Sequence, residues 1–351
     1  MRPLTREAIE VTFAVPDELR ALYRFQPGQF ITLEARIDGE RQRRSYSICV
    51  PPSERELRVA IKRVQDGTFS RFAHETFRPG AEILVGPPEG RFGVPHDPAF
   101  AKHYLAIAAG SGITPVVAIA RHVLETEPGS RFTLIYGNRS SSSVMFREEL
   151  QALKDRYLGR FAMAFIMSRE AQDVELFGGR IDRAKCDALL ETWIDPADID
   201  VAFICGPQAM SEAVAASLQA HGVEKATIKT ELFSAASRPQ RARTAQGAVP
   251  SSHVDTIEAS VVLDGRRHTF PIERGKETVL AAGLRHGIDL PFSCRGGVCS
   301  TCRAVLTAGE VDMDVHYALE DYEIARGLIL MCQSYPVTDA VAIDVDAGAH
   351  G

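Results

Sequence analysis

Cys294-Arg295-Gly296-Gly297-Val298-Cys299-Ser300-Thr301-Cys302 sets three cysteines in a C-x4-C-x2-C loop, and Cys332 follows after a gap of 29 residues. This is the ligand spacing of a plant-type [2Fe–2S] cluster, with Cys294, Cys299, Cys302 and Cys332 as the candidate metal ligands. Gly296 and Gly297 let backbone N–H groups approach inorganic sulfide, and such hydrogen bonds help set the potential. A structural zinc site would show two separated short Cys/His pairs, whereas here three cysteines crowd one loop. A cluster of this kind passes one electron at a time. Its surroundings read as a small α+β ferredoxin-like module: strands near Ala259–Leu263, Arg267–Pro271, Arg303–Leu306 and Ala340–Val345, and a helix over Thr278–His286.

Working towards the N-terminus, Ser234 to His253 has no apolar period and carries three arginines and no acid, the composition of a linker. From Phe100 to Leu232, buried-type strands alternate with helices. Tyr104–Ala109, Phe132–Tyr136, Phe161–Met167, Val201–Cys205 and Thr227–Leu232 are the strands. The helices run over Pro115–Glu125, Ser143–Tyr157, Ile181–Leu190 and Pro207–His221. This order predicts an α/β domain with a parallel sheet covered on both faces. Up to Pro98, short period-2 segments alternate with Pro/Gly turns: Ile9–Phe13, Phe30–Ala35, Arg44–Val50, Leu57–Val64 and Glu82–Val85. They predict an antiparallel β-barrel. The expected boundaries are therefore 1–98, 99–233, a linker at 234–253, and 254–351.

The 351 residues are 45% hydrophobic and 25% charged, an ordinary globular composition. No apolar run approaches a membrane span, and Met1–Glu7 lacks the apolar core of a signal peptide. Cys49, Cys186 and Cys205 give no disulfide framework, which points to the reducing cytoplasm. The net charge of −6 is uneven: residues 254–351 hold fifteen Asp/Glu against eight Lys/Arg, a net of −7. An acidic electron carrier suits a partner with a basic face and argues against nucleic acid, although acidity also serves solubility alone.

Several short motifs carry binding chemistry. Arg44-Ser45-Tyr46-Ser47 lies on a barrel strand, where Arg44 suits a phosphate and Tyr46 a flat ring. Gly67-Thr68-Phe69-Ser70 opens a short helix or is an ordinary turn. Ala109-Gly110-Ser111-Gly112-Ile113-Thr114-Pro115 joins strand to helix, with Thr114 expected as N-cap and Pro115 as first helical residue. It is not the six-residue dinucleotide fingerprint. Cys205-Gly206-Pro207 repeats the design at another strand end, so both turns should face one crevice. In Tyr136-Gly137-Asn138-Arg139-Ser140-Ser141-Ser142-Ser143, Arg139 and the hydroxyls suit a ribose 2′-phosphate, with no acid before Glu148; a solvated polar loop reads the same way.

Taken in order (R-x-Y-S, G-S-G-I-T-P, C-G-P, then C-x4-C-x2-C…C), the chain resembles the ferredoxin–NADP reductase superfamily fused to a C-terminal plant-type ferredoxin, over essentially its whole length. The resemblance implies FAD, NADPH and a [2Fe–2S] cluster as cofactors. It implies that Arg44 holds the FAD diphosphate with Gly67 and Ser70, that Tyr46 stacks on the flavin, and that Ser47 lies near flavin N5. Gly110, Gly112 and Thr114 would border the nicotinamide nucleotide, with Arg139 and Ser140 toward its ribose and Cys205, Gly206 and Pro207 near the nicotinamide. Glu231 and Phe233 would sit beside the flavin ring, so Ser47, Cys205, Glu231 and Phe233 are the candidate catalytic residues. Electrons would pass from NADPH through FAD and cluster to the oxygenase component of a di-iron system that epoxidises the ring of phenylacetyl-coenzyme A. The rival acceptors are a ring-hydroxylating dioxygenase, another di-iron monooxygenase or a hybrid-cluster protein; a redox sensor is the rival from another class, disfavoured by three complete cofactor sites. Relatives usually begin with one more strand before the segment matching Ile9–Phe13, so a barrel one strand short, or a start assigned too far downstream, is expected.

Overall fold

The computed structural model describes residues 1–233 and 256–349, which fall into two compact units divided after Phe233. The expected linker, 234–253, lies outside the described residues.

The first unit opens with strands β1 (Arg2–Thr5), β2 (Ala8–Phe13), β3 (Phe30–Ile37), β4 (Glu40–Ser47) and β5 (Leu57–Lys62), helix α1 (Thr68–Thr76) and strand β6 (Leu84–Val85). They form two three-stranded antiparallel sheets, β1-β2-β5 and β4-β3-β6. Ile48, just beyond β4, bridges to Val59 on β5 and ties the two together as a barrel. Alternation along the strands sends Val11, Ile31, Leu33, Ile48, Val59 and Ile61 inward, where Phe69 of α1 plugs the core. The missing first strand is present: β1 pairs with β2 antiparallel, Pro3 opposite Ile9. Its four residues, one of them proline, are too short to show a period-2 pattern.

The second half of this unit is β7 (His103–Ala109), α2 (Ile113–Thr126), β8 (Arg131–Asn138), α3 (Arg147–Arg156), β9 (Phe161–Met167), α4 (Arg183–Thr192), β10 (Val201–Cys205), α5 (Gln208–Ala220) and β11 (Ile228–Glu231). The sheet is parallel throughout, in the order β11-β10-β7-β8-β9. One core holds Val116, Val117 and Leu150 of α2 and α3; another holds Leu189, Leu190, Val214 and Leu218 of α4 and α5. The sheet is thus covered on both faces. The strand order reverses between β7 and β10, the position where open α/β sheets bind ligands.

Two helix starts differ from expectation. Gly110–Gly112 form a 3-10 turn, and α2 begins at Ile113 with Gly112 as its N-cap. The Thr114 hydroxyl caps nothing, because it donates to the Ser111 carbonyl at 3.0 Å. The helix expected from Ser143 begins only at Arg147, because Phe146 takes a left-handed φ of 57° and breaks the continuity. Barrel and sheet meet through polar contacts as well: Ser53 donates to Glu125 at 2.8 Å, Arg121 pairs with Glu54, and Arg2 links Glu10 on β2 to Glu149 on α3.

The second unit has β12 (Thr256–Leu263), β13 (Arg266–Glu273), α6 (Val279–Arg285), β14 (Arg303–Ala308), β15 (Val311–Met313), α7 (Asp321–Ala325), β16 (Leu328–Leu330), β17 (Ser334–Pro336), β18 (Ala340–Asp344) and α8 (Val345–Ala349). Its main sheet is mixed, in the order β13-β12-β18-β14-β16, and β15 pairs with β17 alone. Thr278 caps α6 by accepting from Ala281 N–H. Val279, Leu280 and Ala282 of that helix share a core with Ile257, Phe270 and Ile343 of the sheet.

Candidate cofactor sites

The ferredoxin-like unit brings Cys294, Cys299, Cys302 and Cys332 together. Cys294 is half-buried, and the other three are buried. The thiols make two hydrogen-bonded pairs, Cys294 with Cys299 and Cys302 with Cys332. The Cys299 partner pulls the Cys294 thiol down to about 7, and the hydrogen bond with Cys302 lowers Cys332. Donors point at the sulfurs: Cys294 N–H at 3.4 Å from Cys299 Sγ and Gly296 N–H at 3.3 Å from Cys294 Sγ. Two thiol pairs with N–H donors fit a two-iron cluster better than a single tetrahedral zinc.

In the first unit, Arg44 on β4 is exposed, Tyr46 is half-buried 5.9 Å from the Phe69 ring, and Ser47 is buried. Burial raises the Tyr46 hydroxyl far above its ordinary value, so it stays a neutral flat ring. Gly67 is the N-cap of α1. The buried Ser70 hydroxyl accepts from Val64 N–H at 3.1 Å and donates to the Gly67 carbonyl at 3.2 Å. Ser70 therefore shapes the loop that presents the start of α1, and its O–H is already given to protein.

The two glycine turns of the parallel sheet do share one crevice. Gly112 lies so close to the Cys205 carbonyl that an added Cβ would sit 2.0 Å from its oxygen. Gly110 has a left-handed φ of 55°. Cys205 is wholly buried beside Glu231 in register on β11. Burial, then the Glu231 charge, pushes its thiol well above the ordinary range, so it is a neutral contact and no nucleophile. Ser47 of the barrel donates to Glu231 Oε2 at 3.2 Å. The structure thus joins Ser47, Glu231 and Cys205 where barrel meets sheet, at the carboxyl ends of β10 and β11. Phe233 follows them, 42% exposed.

Arg139 is exposed after β8, and Ser140 forms a reciprocal capping box with Ser143. Two residues escaped the sequence. Glu170, from the end of β9, accepts from Ser141 Oγ at 2.5 Å and Ser141 N–H at 2.7 Å, and these bonds hold its carboxyl below the usual range. The loop expected to be free of acid before Glu148 therefore has one, supplied by a neighbouring strand 29 residues on. Lys62, at the end of β5, places Nζ 3.7 Å from where a Gly110 Cβ would be. Burial lowers its pKa, Glu7 opposes this, and the Arg139 charge adds to it, so Lys62 is a cation beside the Gly110 turn. No pattern within β5 marks Lys62, because the sheet it faces lies in another part of the chain.

A flavin barrel, a parallel nucleotide sheet and a two-iron module define a nicotinamide-dependent flavin/iron–sulfur oxidoreductase. Residues 3–93 match the family described as oxidoreductase FAD-binding domain, 106–216 the oxidoreductase NAD-binding domain, and 261–337 the 2Fe-2S iron-sulfur cluster binding domain. The chain is 44% identical to the E component of 1,2-phenylacetyl-CoA epoxidase from Escherichia coli (strain K12), over 98% of this chain and 95% of that protein. It is 34% identical to the ferredoxin reductase component of 3-ketosteroid-9-alpha-monooxygenase from Rhodococcus rhodochrous, over 97% and 93%. Phthalate dioxygenase reductase shares the fold, with a TM-score of 0.57 at 24% identity over 98% of this chain and 95% of that one. The chain belongs to the ferredoxin–NADP reductase superfamily, in the group fused to a 2Fe-2S ferredoxin that forms the reductase components of oxygenases. It passes electrons from NAD(P)H through FAD and a [2Fe–2S] cluster to an oxygenase partner. No helix among the described residues is long and apolar enough to cross a membrane.

Proposed function

We propose that this reductase serves, in the cytoplasm, a di-iron oxygenase that epoxidises the ring of phenylacetyl-coenzyme A, and that it draws on NADPH. The observation that carries this reading is the 44% identity, spread over 98% of the chain, to the epoxidase component of Escherichia coli. FAD, when bound, supplies the conversion of a two-electron hydride into single electrons that the cluster can carry. The protein's own residues bind and orient. Arg44 and the start of α1 at Gly67 hold the diphosphate, with Ser70 fixing the loop. Tyr46 would stack on the flavin ring, and the Ser47 hydroxyl, which donates to Glu231, would lie near its reacting edge. Gly110, Gly112 and Thr114 let the nicotinamide nucleotide lie close against the sheet, and Cys205, Gly206 and Pro207 form the floor. The neutral Cys205 thiol adds no charge to compete with hydride transfer. Phe233, 42% exposed after β11, would shield the flavin ring and so control access of the nicotinamide. Arg139 and Ser140 would meet the 2′-phosphate, opposed by the Glu170 carboxylate that Ser141 holds in the same loop, and Cys294, Cys299, Cys302 and Cys332 would hold the cluster. The boundaries 1–98, 99–233 and 254–351 describe three modules.

Acidic Glu310, Asp312, Asp314, Glu320, Asp321 and Glu323 lie between the third and fourth ligands in sequence. The accessible ones suit a basic face on the oxygenase, whereas Glu323 is buried and paired with Arg303 at 3.0 Å. The test is reconstitution of the purified reductase with phenylacetyl-coenzyme A oxygenase and, in parallel, with a steroid monooxygenase. Ring epoxide formed with matched NADPH consumption, declining as salt shortens the Debye length from about 10 Å at 0.1 M to about 3 Å at 1 M, supports the proposal. Support of the steroid enzyme alone overturns it in favour of another oxygenase.

A further inference from the structure

The residue after the fourth cysteine is Gln333, and its side-chain amide is placed on the cluster site. Gln333 Nε2 lies 3.5 Å from Cys332 Sγ, 3.0 Å from the Cys332 carbonyl oxygen and 3.0 Å from the Arg295 carbonyl oxygen. The two carbonyls can only accept, so the NH2 end of the amide must be the end that faces them and the sulfur. The three acceptors belong to both halves of the ligand set. Arg295 sits in the loop that carries Cys294, Cys299 and Cys302, whereas Cys332 enters from β16 and its following turn. Gln333 is itself held in place. Its backbone N–H donates to Leu330 O at 2.8 Å, its carbonyl accepts from Asp314 N–H at 3.1 Å, and its Cγ lies 3.1 Å from where a Gly297 Cβ would be. The backbone bonds fix the Gln333 main chain, and the Arg295 and Cys332 carbonyls hold the amide itself against the sulfur.

We propose that Gln333 is a positioning residue of the electron-transfer centre: its amide clasps the Cys332 ligand to the three-cysteine loop and raises the reduction potential of the cluster by donating to Cys332 Sγ. This rests on the assignment of the four cysteines as ligands. The physical reason is simple. Adding an electron increases the negative charge on the ligand sulfurs, so an N–H donor stabilises the reduced form more than the oxidised form. Without the donor, the electron is held less tightly. The same amide bonded to Arg295 O resists separation of the fourth ligand from the other three.

The experiment is a spectroelectrochemical titration of the full-length holoprotein, with the flavin midpoint read in the same titration as an internal reference. Gln333→Met keeps length and volume but has no donor. Its cluster midpoint should fall relative to the flavin by about tenfold in the equilibrium constant for cluster reduction, about 59 mV for a one-electron couple. The Fe–S(Cys) stretch seen by resonance Raman should shift, and release of iron to a chelator should quicken. Gln333→Lys restores an N–H donor of similar reach and should recover a midpoint above that of the Met variant. An unchanged midpoint and Raman spectrum in Gln333→Met overturns the proposal. If the Met variant holds no cluster, Gln333→Lys decides: a retained cluster upholds the donor role, and loss in both with a folded ferredoxin unit overturns it. Cys332→Ser separates this inference from the ligand assignment. If Cys332→Ser keeps an unaltered cluster, the ligand assignment is wrong and the inference falls with it; if it destroys the cluster while Gln333→Met leaves the midpoint in place, only the inference fails.

Discussion

Gly112→Ala asks how much the shared crevice depends on one missing methyl group. Gly112 has φ −61° and ψ −9°, a conformation any residue adopts, so alanine carries no backbone penalty there. The entire cost is steric. The new Cβ would lie 2.0 Å from the Cys205 oxygen, 2.5 Å from its carbonyl carbon and 3.1 Å from Gly206 N, and all three are backbone atoms. Ordinary contact begins at 3.4 Å, so the turn and the end of β10 must part by about 1.4 Å. Overpacking of this kind costs about 1–3 kcal/mol. A misplacement of about 1 Å near a reacting pair costs about a hundredfold in rate. The expected outcome is a loss of about 1–3 kcal/mol in urea unfolding and a 10- to 100-fold fall in kcat/KM for NAD(P)H with ferricyanide as acceptor, with FAD content retained. Gly110→Ala is the contrast. There φ is +55° and only Lys62 Nζ, at 3.7 Å, is near, so the cost is about 1–2 kcal/mol of left-handed strain with little displacement. Wild-type stability and kinetics in Gly112→Ala, with the larger defect in Gly110→Ala, would refute the close-approach argument.

Three further outcomes follow from the site. Cys299→Ser should abolish the iron–sulfur absorption and the bound iron but leave bound FAD and dye reduction, since cluster and flavin residues lie in separate compact units; loss of flavin along with the cluster would contradict the modular reading. Arg139→Glu should move the ratio of specificity constants from NADPH toward NADH, because a second carboxylate beside Glu170 repels a 2′-phosphate; an unchanged ratio would reduce Arg139 to a loop residue. Burial tends to raise Glu34, but hydrogen bonds from Arg41 and Arg43 outweigh it and hold its carboxyl below the usual 4.5. A depressed folded pKa contributes stability above about pH 4.5 that is lost as pH falls through the folded value, so Glu34→Gln should flatten the acid side of a stability profile taken from pH 3 to 6, and parallel profiles for the two proteins would speak against the pairing.

What the sequence showed and what it hid divide along a physical line. Features written within one contiguous stretch were legible. The C-x4-C-x2-C loop, the buried strand Tyr104–Ala109 and the glycine turn after it each announce themselves by spacing or periodicity, and the strands and helices of the parallel sheet fall close to where alternation places them. Features that depend on what one segment finds in another were not. Thr114 has the residue type of an N-cap, but the 3-10 turn at Gly110–Gly112 winds the chain into α2 earlier and leaves that hydroxyl to the Ser111 carbonyl. Phe146 takes a left-handed conformation with its side chain in the core, a tertiary demand that overrides the helical pattern around it.

The same division runs through the cofactor sites. Glu170 and Lys62 are invisible in the motifs they serve, because the fold brings them there from β9 and from the barrel. Ser47 and Glu231 are 184 residues apart, and their hydrogen bond exists only because the barrel strand β4 ends against the parallel strand β11. Gln333 sits next to a cysteine in sequence, yet its adjacency says nothing about donation to sulfur. Its amide matters because the turn after β16 brings it to the Arg295 carbonyl of the distant loop. Ligand identity is a property of spacing, and so a sequence shows it. The potential of a cluster and the preference of a nucleotide site are set by donors and charges that arrive through tertiary packing. Variation between reductases serving different oxygenases should therefore concentrate on these delivered residues, while the spaced cysteines and glycines stay legible.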